Sequence, residues 1–206
     1  MPEKVDKSEN LKKVATMTKE LISDSAIVEI LSQLQQSNVS YLMSQMLYKQ
    51  ANTRYALQAW SPHQDNSYID SDTPGHPNGF NTQYITTNLF LDEADLSNGT
   101  MYVYPGTHKV GKLPCNYQAS YRETLGSNPG NFIEPKLYQE YRKVDCIFEI
   151  GSLLIMNGNL IHGSYANVSS KSRPLLSVSY ITAGSYFFKG NNARRKEHTL
   201  TINTAS

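Results

Sequence analysis

The stretch CIFEIGSLLIMNGNLIHG, residues 146–163, decides the fold class. It contains two short runs rich in aliphatic and aromatic residues, 146–150 and 152–156, and then a Gly158-Asn159 turn before His162. Short apolar runs that are bounded by turn residues are typical of β-strands, because a helix needs a longer segment with a 3.6-residue period. The stretch therefore predicts two strands that lead to a histidine.

Short apolar runs bounded by turn residues also occur on both sides of this stretch. Further strands are predicted at residues 39–48, 55–60, 84–91, 100–104 and 175–181. Turn clusters such as Thr73-Pro74-Gly75 and Ser97-Asn98-Gly99 separate them, and no helices alternate with them, which argues against a parallel doubly wound sheet. A mainly β, jelly-roll-like double sheet is favoured.

A helix is predicted before the first strand. Its apolar residues have the i, i+3, i+4, i+7 spacing of an amphipathic helix: Ile27, Ile30, Leu31 and Leu34. Ser23 or Asp24 can serve as its N-cap. We expect the helix to pack on one face of the sheet, and we expect residues 1–13, which are polar and charged, to form a solvated tail.

Length and charge limit the classes of function. With 206 residues the chain suits one core, so we predict a single domain at 14–206 with its core at about 39–183. A net charge of +1 gives no electrostatic argument for a nucleic-acid partner. Cys115 and Cys146 have no C-x-x-C spacing, and no run of about 20 apolar residues could span a membrane. We expect a cytoplasmic protein with small-molecule partners, and the sequence predicts no oligomeric state.

An H-Q-D motif places the imidazole of His63 and the carboxylate of Asp65 at the end of a predicted strand. Because side chains alternate along a strand, both groups point to one face and form a two-point chelate. A facial triad of a non-haem iron(II) site needs a second histidine and leaves three coordination positions open. His162 follows an apolar strand, whereas His76 lies in a Pro/Gly loop and His198 in a basic stretch. We predict His63, Asp65 and His162 as ligands; a surface pair or a capped turn is the competing interpretation of the H-x-D motif.

Arg173 follows His162 and directly precedes the predicted strand at 175–181. Its planar guanidinium can bind the distal carboxylate of 2-oxoglutarate bidentately, which a lysine would not reproduce. Ser164, on the same strand face as His162, can donate its hydroxyl to the same carboxylate. A surface salt bridge for Arg173 and a turn hydroxyl for Ser164 are the alternatives.

These residues belong to a longer ordered set of motifs. The set comprises Ser61-Pro62-His63-Gln64-Asp65, Asn88-Leu89-Phe90-Leu91-Asp92-Glu93-Ala94-Asp95, Asn98-Gly99-Thr100, Pro105-Gly106-Thr107-His108-Lys109, Ile161-His162-Gly163-Ser164 and Arg173. In this order, and over residues 41–181, the chain resembles the phytanoyl-CoA dioxygenase (PhyH) family of iron(II)/2-oxoglutarate-dependent oxygenases.

The resemblance implies a double-stranded β-helix, the cupin-like jelly roll, with its N-terminal helix or helices packed on the sheet. It also implies Fe(II) as the metal and 2-oxoglutarate as the co-substrate. The implied roles fall on the three metal ligands and two co-substrate residues: His63, Asp65, His162, Ser164 and Arg173. Asn88 stands where several members have a tryptophan that lines the co-substrate pocket, and an ordinary strand residue is the competing interpretation. His108 is expected to have a structural role in its turn.

The chain also departs from the family pattern. Members commonly have a longer N-terminal region than this chain has before His63, so a reduced substrate site or a shortened version is expected. Gly151-Ser152 stands where many members have Gly-Asp. Asp65 is retained, which argues against the halogenating branch, where a small residue replaces the carboxylate.

The resulting hypothesis is a dioxygenase that uses O2 and 2-oxoglutarate to hydroxylate a small organic substrate and releases succinate and CO2. The long connections 66–83 and 108–145 are the candidates for choosing that substrate. Three alternatives remain: a non-catalytic metal-binding or regulatory protein on the same scaffold, a cupin-type metalloenzyme that does not use 2-oxoglutarate, and a purely structural jelly roll. Intact ligands together with Arg173 disfavour the first, and cupin sites more often use three or four histidines.

Overall fold

A computed structural model describes residues 7–71, 84–118, 130–183, 187–189, 193–194 and 198–200. Two helices come first, α1 Lys7–Ile22 and α2 Ser25–Gln35. The strands are β1 Val39–Lys49, β2 Trp60–His63, β3 Ile69–Ser71, β4 Tyr84–Phe90, β5 Met101–Val103, β6 Asn116–Gln118, β7 Gly130–Phe132, β8 Val144–Asp145, β9 Leu153–Asn157, β10 His162–Ser164, β11 Arg173–Thr182, β12 Phe187–Lys189, β13 Ala193–Arg194 and β14 His198–Leu200. Short 3-10 helices lie at Asp65–Tyr68, Thr107–Val110 and Pro135–Leu137.

The predicted helix is present as α2, but Ile30 and Leu34 of its predicted apolar face are exposed. The Asp24 side chain is its N-cap and accepts hydrogen bonds from the backbone N–H groups of Ala26 and Ile27. Val28 and Leu31 are buried against the sheet. Helix α1 begins at Lys7, so part of the segment that we expected to be a solvated tail is helical. Neither described helix is long and apolar enough to cross a lipid bilayer.

Two antiparallel sheets form the body of the fold. The larger has the strand order β14-β1-β11-β4-β9, and the smaller has the order β2-β10-β5-β8. This architecture confirms the predicted mainly β jelly roll with N-terminal helices.

The alternation of side chains along β11 divides the interior into two regions. Val178 and Tyr180 face the helices and pack with Val28 and Leu31 of α2. Leu175, on the opposite face of β11, packs with residues that include Met101 of the smaller sheet. Because the second face lies between the sheets, polar residues placed there are enclosed on both sides.

Two predicted strands were wrong in position. Residues 55–57 lie in turns, in which the Ala56 N–H donates to the Thr53 carbonyl, and the strand begins only at Trp60. Asn52, with φ of 59°, turns the chain before it can pair in a sheet. Residues 146–150 form no named strand, because only Phe148 pairs there, with Ala94, while the strand lies earlier at β8.

The two long connections hold more structure than expected. The first contains the 3-10 helix Asp65–Tyr68 and β3, and the second contains the β6–β7 hairpin. Residues 72–83 and 119–129 lie outside the described residues, and so does His76. Their expected role in substrate choice stays a prediction.

Candidate metal centre and ligand pocket

His63, Asp65 and His162 converge on one point between the sheets. His63 ends β2 and His162 begins β10, and their Cα atoms are direct partners in the antiparallel ladder. Asp65 begins the 3-10 helix that follows β2, and its Oδ1 lies 3.6 Å from the Nε2 of each histidine. One ligand atom from each residue lies within 4.8 Å of the others, so the three can hold one metal ion.

Both imidazoles are oriented by backbone carbonyl groups. The Nδ1 of His63 lies 2.7 Å from the Ser61 oxygen, and the Nδ1 of His162 lies 3.0 Å from the Leu160 oxygen. A carbonyl oxygen only accepts hydrogen bonds, so each Nδ1 carries a proton and each Nε2 keeps its lone pair for the site. The orientation that a metal needs is therefore present in the protein itself.

The carboxylate of Asp65 is also fixed. The Thr86 hydroxyl on β4 donates to Oδ2 at 2.5 Å, which leaves Oδ1 for the site. The buried neighbour Gln64 donates to the carbonyl oxygens of Gly111 and Asn159, and it accepts from the Leu113 N–H. These bonds tie the H-Q-D motif to two other segments, so the motif is part of the rigid scaffold.

Ionisation favours metal binding by these groups. Burial alone would raise the pKa of Asp65, but the nearby His162 and His63 imidazoles and the Thr86 hydroxyl hold that pKa below its ordinary value. Burial lowers the pKa of His162. At neutral pH Asp65 is a carboxylate and His162 is a neutral imidazole, which are the forms that bind a metal.

The other predicted residues line the same cavity. This cavity, about 260 Å³ in volume, reaches from the three ligands to Ser164 on β10, Asn88 on β4 and Arg173 on β11. Its remaining walls are largely apolar or aromatic and include Leu42, Met43, Leu47, Trp60, Tyr68, Tyr84, Met101 and Leu175. His108, by contrast, is exposed on the 3-10 helix Thr107–Val110 and does not line the cavity, and its expected structural role stays a prediction.

Arg173 carries buried hydrogen-bonding capacity that no described residue satisfies. Its side chain is 2% exposed, and its Nε and Nη1 atoms have no hydrogen-bond partner within the described part of the chain. The Nδ2 of Asn88 is buried in the same way. Burial lowers the pKa of Arg173 to about 10, so the guanidinium remains charged at neutral pH. Buried donors are costly unless an acceptor takes their hydrogen bonds, and for a charged guanidinium a bound anion is a well-suited acceptor.

Two residues of this site were missed in the sequence. Lys49 lies buried at the end of β1, and its Nζ donates to the Ser164 Oγ at 2.8 Å. The predicted strand ended at residue 48, and a lysine at a strand end gives no signal of burial. Thr86 was also missed, because a threonine within a strand is an ordinary β residue.

The residues present fit a metal and an anionic co-substrate. Two imidazole nitrogens and one carboxylate suit ferrous iron, and this set leaves coordination positions open. The unsatisfied N–H groups of Arg173 suit the carboxylate of a 2-oxo acid.

Comparison with known proteins gives consistent matches. The family model described as Phytanoyl-CoA dioxygenase (PhyH) matches residues 2–175. "Phytanoyl-CoA dioxygenase" of Arabidopsis thaliana is 34% identical over 118 residues, which cover 57% of this chain and 36% of that protein. "Phytanoyl-CoA dioxygenase 1" of Oryza sativa subsp. japonica is 29% identical over 170 residues, which cover 78% of this chain and 56% of the relative. The chain thus spans between about a third and just over half of these two relatives.

Solved structures share the fold. The epimerase SnoN in complex with Fe3+, alpha ketoglutarate and nogalamycin RO superposes with a TM-score of 0.66 at 19% identity, over 94% of this chain and 74% of that one. The carbocyclase SnoK from nogalamycin biosynthesis gives 0.64 at 16% identity, over 89% and 71%. EctD from S. alaskensis with 2-oxoglutarate and 5-hydroxyectoine gives 0.59 at 17% identity, over 86% and 54%.

Proposed function

This chain belongs to the phytanoyl-CoA dioxygenase family, and on that premise we propose that it is an iron(II)- and 2-oxoglutarate-dependent oxygenase that hydroxylates a small organic substrate. The main observation behind the proposal is that one cavity contains three oriented candidate ligands and a buried arginine whose Nε and Nη1 donors have no partner among the described residues. A protein that only binds a metal has no need of a buried guanidinium in the same cavity as the ligands.

The roles of the residues follow from their chemistry. His63, Asp65 and His162 would hold the iron through Nε2, Oδ1 and Nε2. Arg173 and Ser164 would bind the distal carboxylate of 2-oxoglutarate, because one offers a planar pair of donors and the other a hydroxyl. When bound, iron and 2-oxoglutarate together activate O2, and 2-oxoglutarate leaves as succinate and CO2. One oxygen atom of O2 enters succinate and the other enters the hydroxylated product.

The protein itself supplies position and exclusion of water. Apolar walls surround the ligands, and the charged groups that line the cavity are limited to the metal-ligand set and Arg173 among the described residues. The part of the substrate that approaches the iron is therefore expected to be uncharged. An acyl-CoA would need basic residues for its phosphates, and the described lining offers none beyond Arg173.

The first test is anaerobic titration of the protein with Fe(II) and 2-oxoglutarate. We expect a visible metal-to-ligand charge-transfer band that is lost in His162→Ala. Arg173→Ala should weaken 2-oxoglutarate binding while iron binding persists. His108→Ala is the matched control, since this histidine is exposed on a turn outside the cavity. A wild-type protein that gives no such band with bound iron would refute the proposal.

The second test identifies the type of reaction. Succinate release is measured with a panel of uncharged and weakly polar substrates under ¹⁸O2. A hydroxylase places one ¹⁸O atom in its product, whereas an epimerase or carbocyclase leaves the product unlabelled. Unlabelled product with stoichiometric succinate would reject hydroxylation but retain the 2-oxoglutarate-dependent activity.

A further inference from the structure

Three aromatic residues lead from the candidate metal centre to the outer surface of the smaller sheet. The first is Trp60, the only tryptophan of the protein, which lines the cavity with its ring centroid 5.5 Å from that of the metal ligand His63. The hydroxyl of Tyr102 on β5 donates to the Trp60 carbonyl oxygen at 3.1 Å. Trp60 therefore contacts the metal centre through its ring and a tyrosine through its backbone.

Tyr102 reaches Trp60 from the other face of the sheet. Its neighbour Met101 lines the cavity, so the alternation of side chains directs Tyr102 away from it. Tyr102 pairs with Gly163 of β10, the strand between β5 and β2. A Cβ at Gly163 would overlap the Tyr102 hydroxyl and would lie 2.6 Å from the Trp60 carbonyl oxygen. The glycine thus leaves the room that this hydrogen bond across β10 needs.

Tyr165 continues the series to the surface. Its ring centroid lies 4.9 Å from that of Tyr102. Its hydroxyl donates to the Asp145 carboxylate at 2.6 Å and accepts a hydrogen bond from Lys143 at 2.5 Å. The side chains of Asp145 and Lys143 are 36% and 41% exposed, so small molecules in solution can approach the end of the series.

The hydrogen bonds give the series a direction. Tryptophan and tyrosine are among the side chains that lose one electron most readily, and a tyrosine that loses an electron also releases its phenol proton. The Tyr165 hydroxyl already donates to a carboxylate, which can take up that proton. The Tyr102 hydroxyl donates only to a neutral carbonyl oxygen. An electron vacancy that starts at Trp60 is therefore stabilised at Tyr165.

We propose that Trp60, Tyr102 and Tyr165 form an electron-transfer path, the aromatic relay, that protects the metal centre when O2 is activated without a substrate. The inference rests on the proposed function, which supplies the oxidant from O2 and 2-oxoglutarate. In each step one electron passes from Tyr165 through Tyr102 and Trp60 to the metal centre, and the phenol proton moves to Asp145. An external reductant of the ascorbate class then returns an electron to Tyr165, and Asp145 returns the proton.

Two such steps replace the two electrons that the C–H bond of a substrate supplies during hydroxylation. The two protons that complete one water molecule at the metal centre come from solvent, and oxidation of the reductant returns two protons to solvent. In the net reaction 2-oxoglutarate, O2 and the reduced ascorbate give succinate, CO2, water and dehydroascorbate. Trp60 and the metal ligands are then spared oxidation.

The first test uses metal-free protein, so it requires neither iron nor activity. A pulse of azide radicals near neutral pH oxidises Trp60, which is half-buried, and the optical bands of the tryptophan and tyrosine radicals are followed in time. The variants are Tyr102→Phe, which keeps the ring, and Asp145→Asn, which removes the proton acceptor. Tyr117→Phe is the matched control, because Tyr117 is 69% exposed on β6 and outside the relay.

In wild type the tryptophan radical should decay into a tyrosine radical at a rate that does not depend on protein concentration. Tyr102→Phe should slow this step about tenfold or more, which corresponds to about 1.4 kcal/mol in activation free energy. Asp145→Asn should also slow it, and Tyr117→Phe should behave as wild type. Tyr68 is the competing acceptor, since its ring also lies close to His63, at 5.8 Å. A step that Tyr68→Phe slows and Tyr102→Phe leaves unchanged would overturn the proposal.

The second test keeps the protective role distinct from the proposed function. Fe(II) protein is exposed to O2, 2-oxoglutarate and ascorbate without substrate, and oxygen addition to the Trp60 peptide is measured by mass spectrometry. Tyr165→Phe should accumulate more oxidised Trp60 than wild type, with the same anaerobic charge-transfer band. Equal oxidation in the two proteins would refute protection. If wild type gives no band, the proposed function fails, and the metal-free experiment still decides whether the relay transfers electrons. If Tyr102→Phe does not fold, Tyr165→Phe is used there with the same criteria.

Discussion

His63 and His162 are direct partners in the ladder between β2 and β10, and their ring centroids lie 4.4 Å apart. The sheet fixes their separation, and one backbone carbonyl fixes the tautomer of each ring. Asp65 comes from a 3-10 helix instead of a strand, yet Thr86 on β4 secures its carboxylate. The candidate metal centre is therefore organised by backbone pairing and needs no large rearrangement to accept an ion.

Replacing Asp65 with alanine should abolish hydroxylation. The change removes the only anionic ligand of the triad, so Fe(II) affinity should fall by more than about a hundredfold, the upper end of what loss of a supporting contact causes. Fe(II) affinity is measured by anaerobic calorimetry, and activity by succinate release. Asp92→Ala serves as the control, because Asp92 is exposed and lies outside the cavity. Full hydroxylase activity in Asp65→Ala would show that the assigned triad is wrong.

Part of this site could be predicted from the sequence because two of its residues are close together in the chain. The two-residue spacing of His63 and Asp65 predicts a shared face, and the structure brings both groups to one point although Asp65 lies in a turn. His162 and Arg173 were predicted from the strands beside them, and the ordered motifs of the family resemblance gave them the same roles, although spacing alone cannot predict the pairing between distant strands that brings them together. Their metal and co-substrate roles remain predictions.

The contacts that support the site could not be predicted in the same way. The register between β1 and β11 places Lys49 opposite Arg173, and the contact of Lys49 with Ser164 joins β1 to β10 of the other sheet. Thr86 meets Asp65 for a similar reason, since the 3-10 helix after β2 lies over β4. Long-range register is set by the packing of the whole sheet, and a single sequence does not encode it in any short pattern. The predicted strand at 55–60 failed because local turn hydrogen bonds competed with sheet pairing.

Thr86→Val should lower the affinity for Fe(II) without removing a metal ligand. Valine has nearly the shape of threonine but cannot donate to the Asp65 Oδ2, so the carboxylate loses its orienting contact. We expect Fe(II) affinity to fall about ten- to a hundredfold. Thr87→Val is a close control on the same strand, since its hydroxyl donates to the Val178 carbonyl and does not contact the metal ligands. Equal Fe(II) affinities in the two variants would contradict the role of Thr86.

Lys49→Met should raise the free energy of unfolding of the protein. The pKa of Lys49 is lowered to about 6 by burial and by Arg173, from an ordinary value of 10.5. Between these values the unfolded chain binds more protons than the folded protein, so the free energy of unfolding rises with pH. The loss of unfolding free energy that this lysine causes is therefore largest below pH 6 and vanishes above pH 10.5. The variant should gain on the order of 1–4 kcal/mol of unfolding free energy near pH 6.5.

Urea unfolding at pH 6.5 and pH 9.5 measures this effect. The difference in unfolding free energy between Lys49→Met and wild type should decrease as the pH rises, because burial of the lysine destabilises the wild-type protein less at high pH. Lys171→Met, at the exposed surface, should show no comparable pH-dependent gain. An advantage that is constant across the two pH values would mean that better packing, and not the buried charge, stabilises the variant.

Gly99→Ala should lower the free energy of unfolding by more than a comparable glycine substitution elsewhere. Gly99 has φ of +89°, and an added Cβ would lie 2.8 Å from both the Lys49 Cδ and the Tyr165 carbonyl oxygen. Gly151→Ala is the matched control, since Gly151 has φ of +84° but nothing within 4 Å of the added atom. Both variants carry backbone strain of about 1–3 kcal/mol. Only Gly99→Ala also displaces the Lys49 side chain, so urea unfolding should show the larger loss of unfolding free energy in this variant. Equal losses of unfolding free energy in the two variants would contradict the close fit between Gly99 and Lys49.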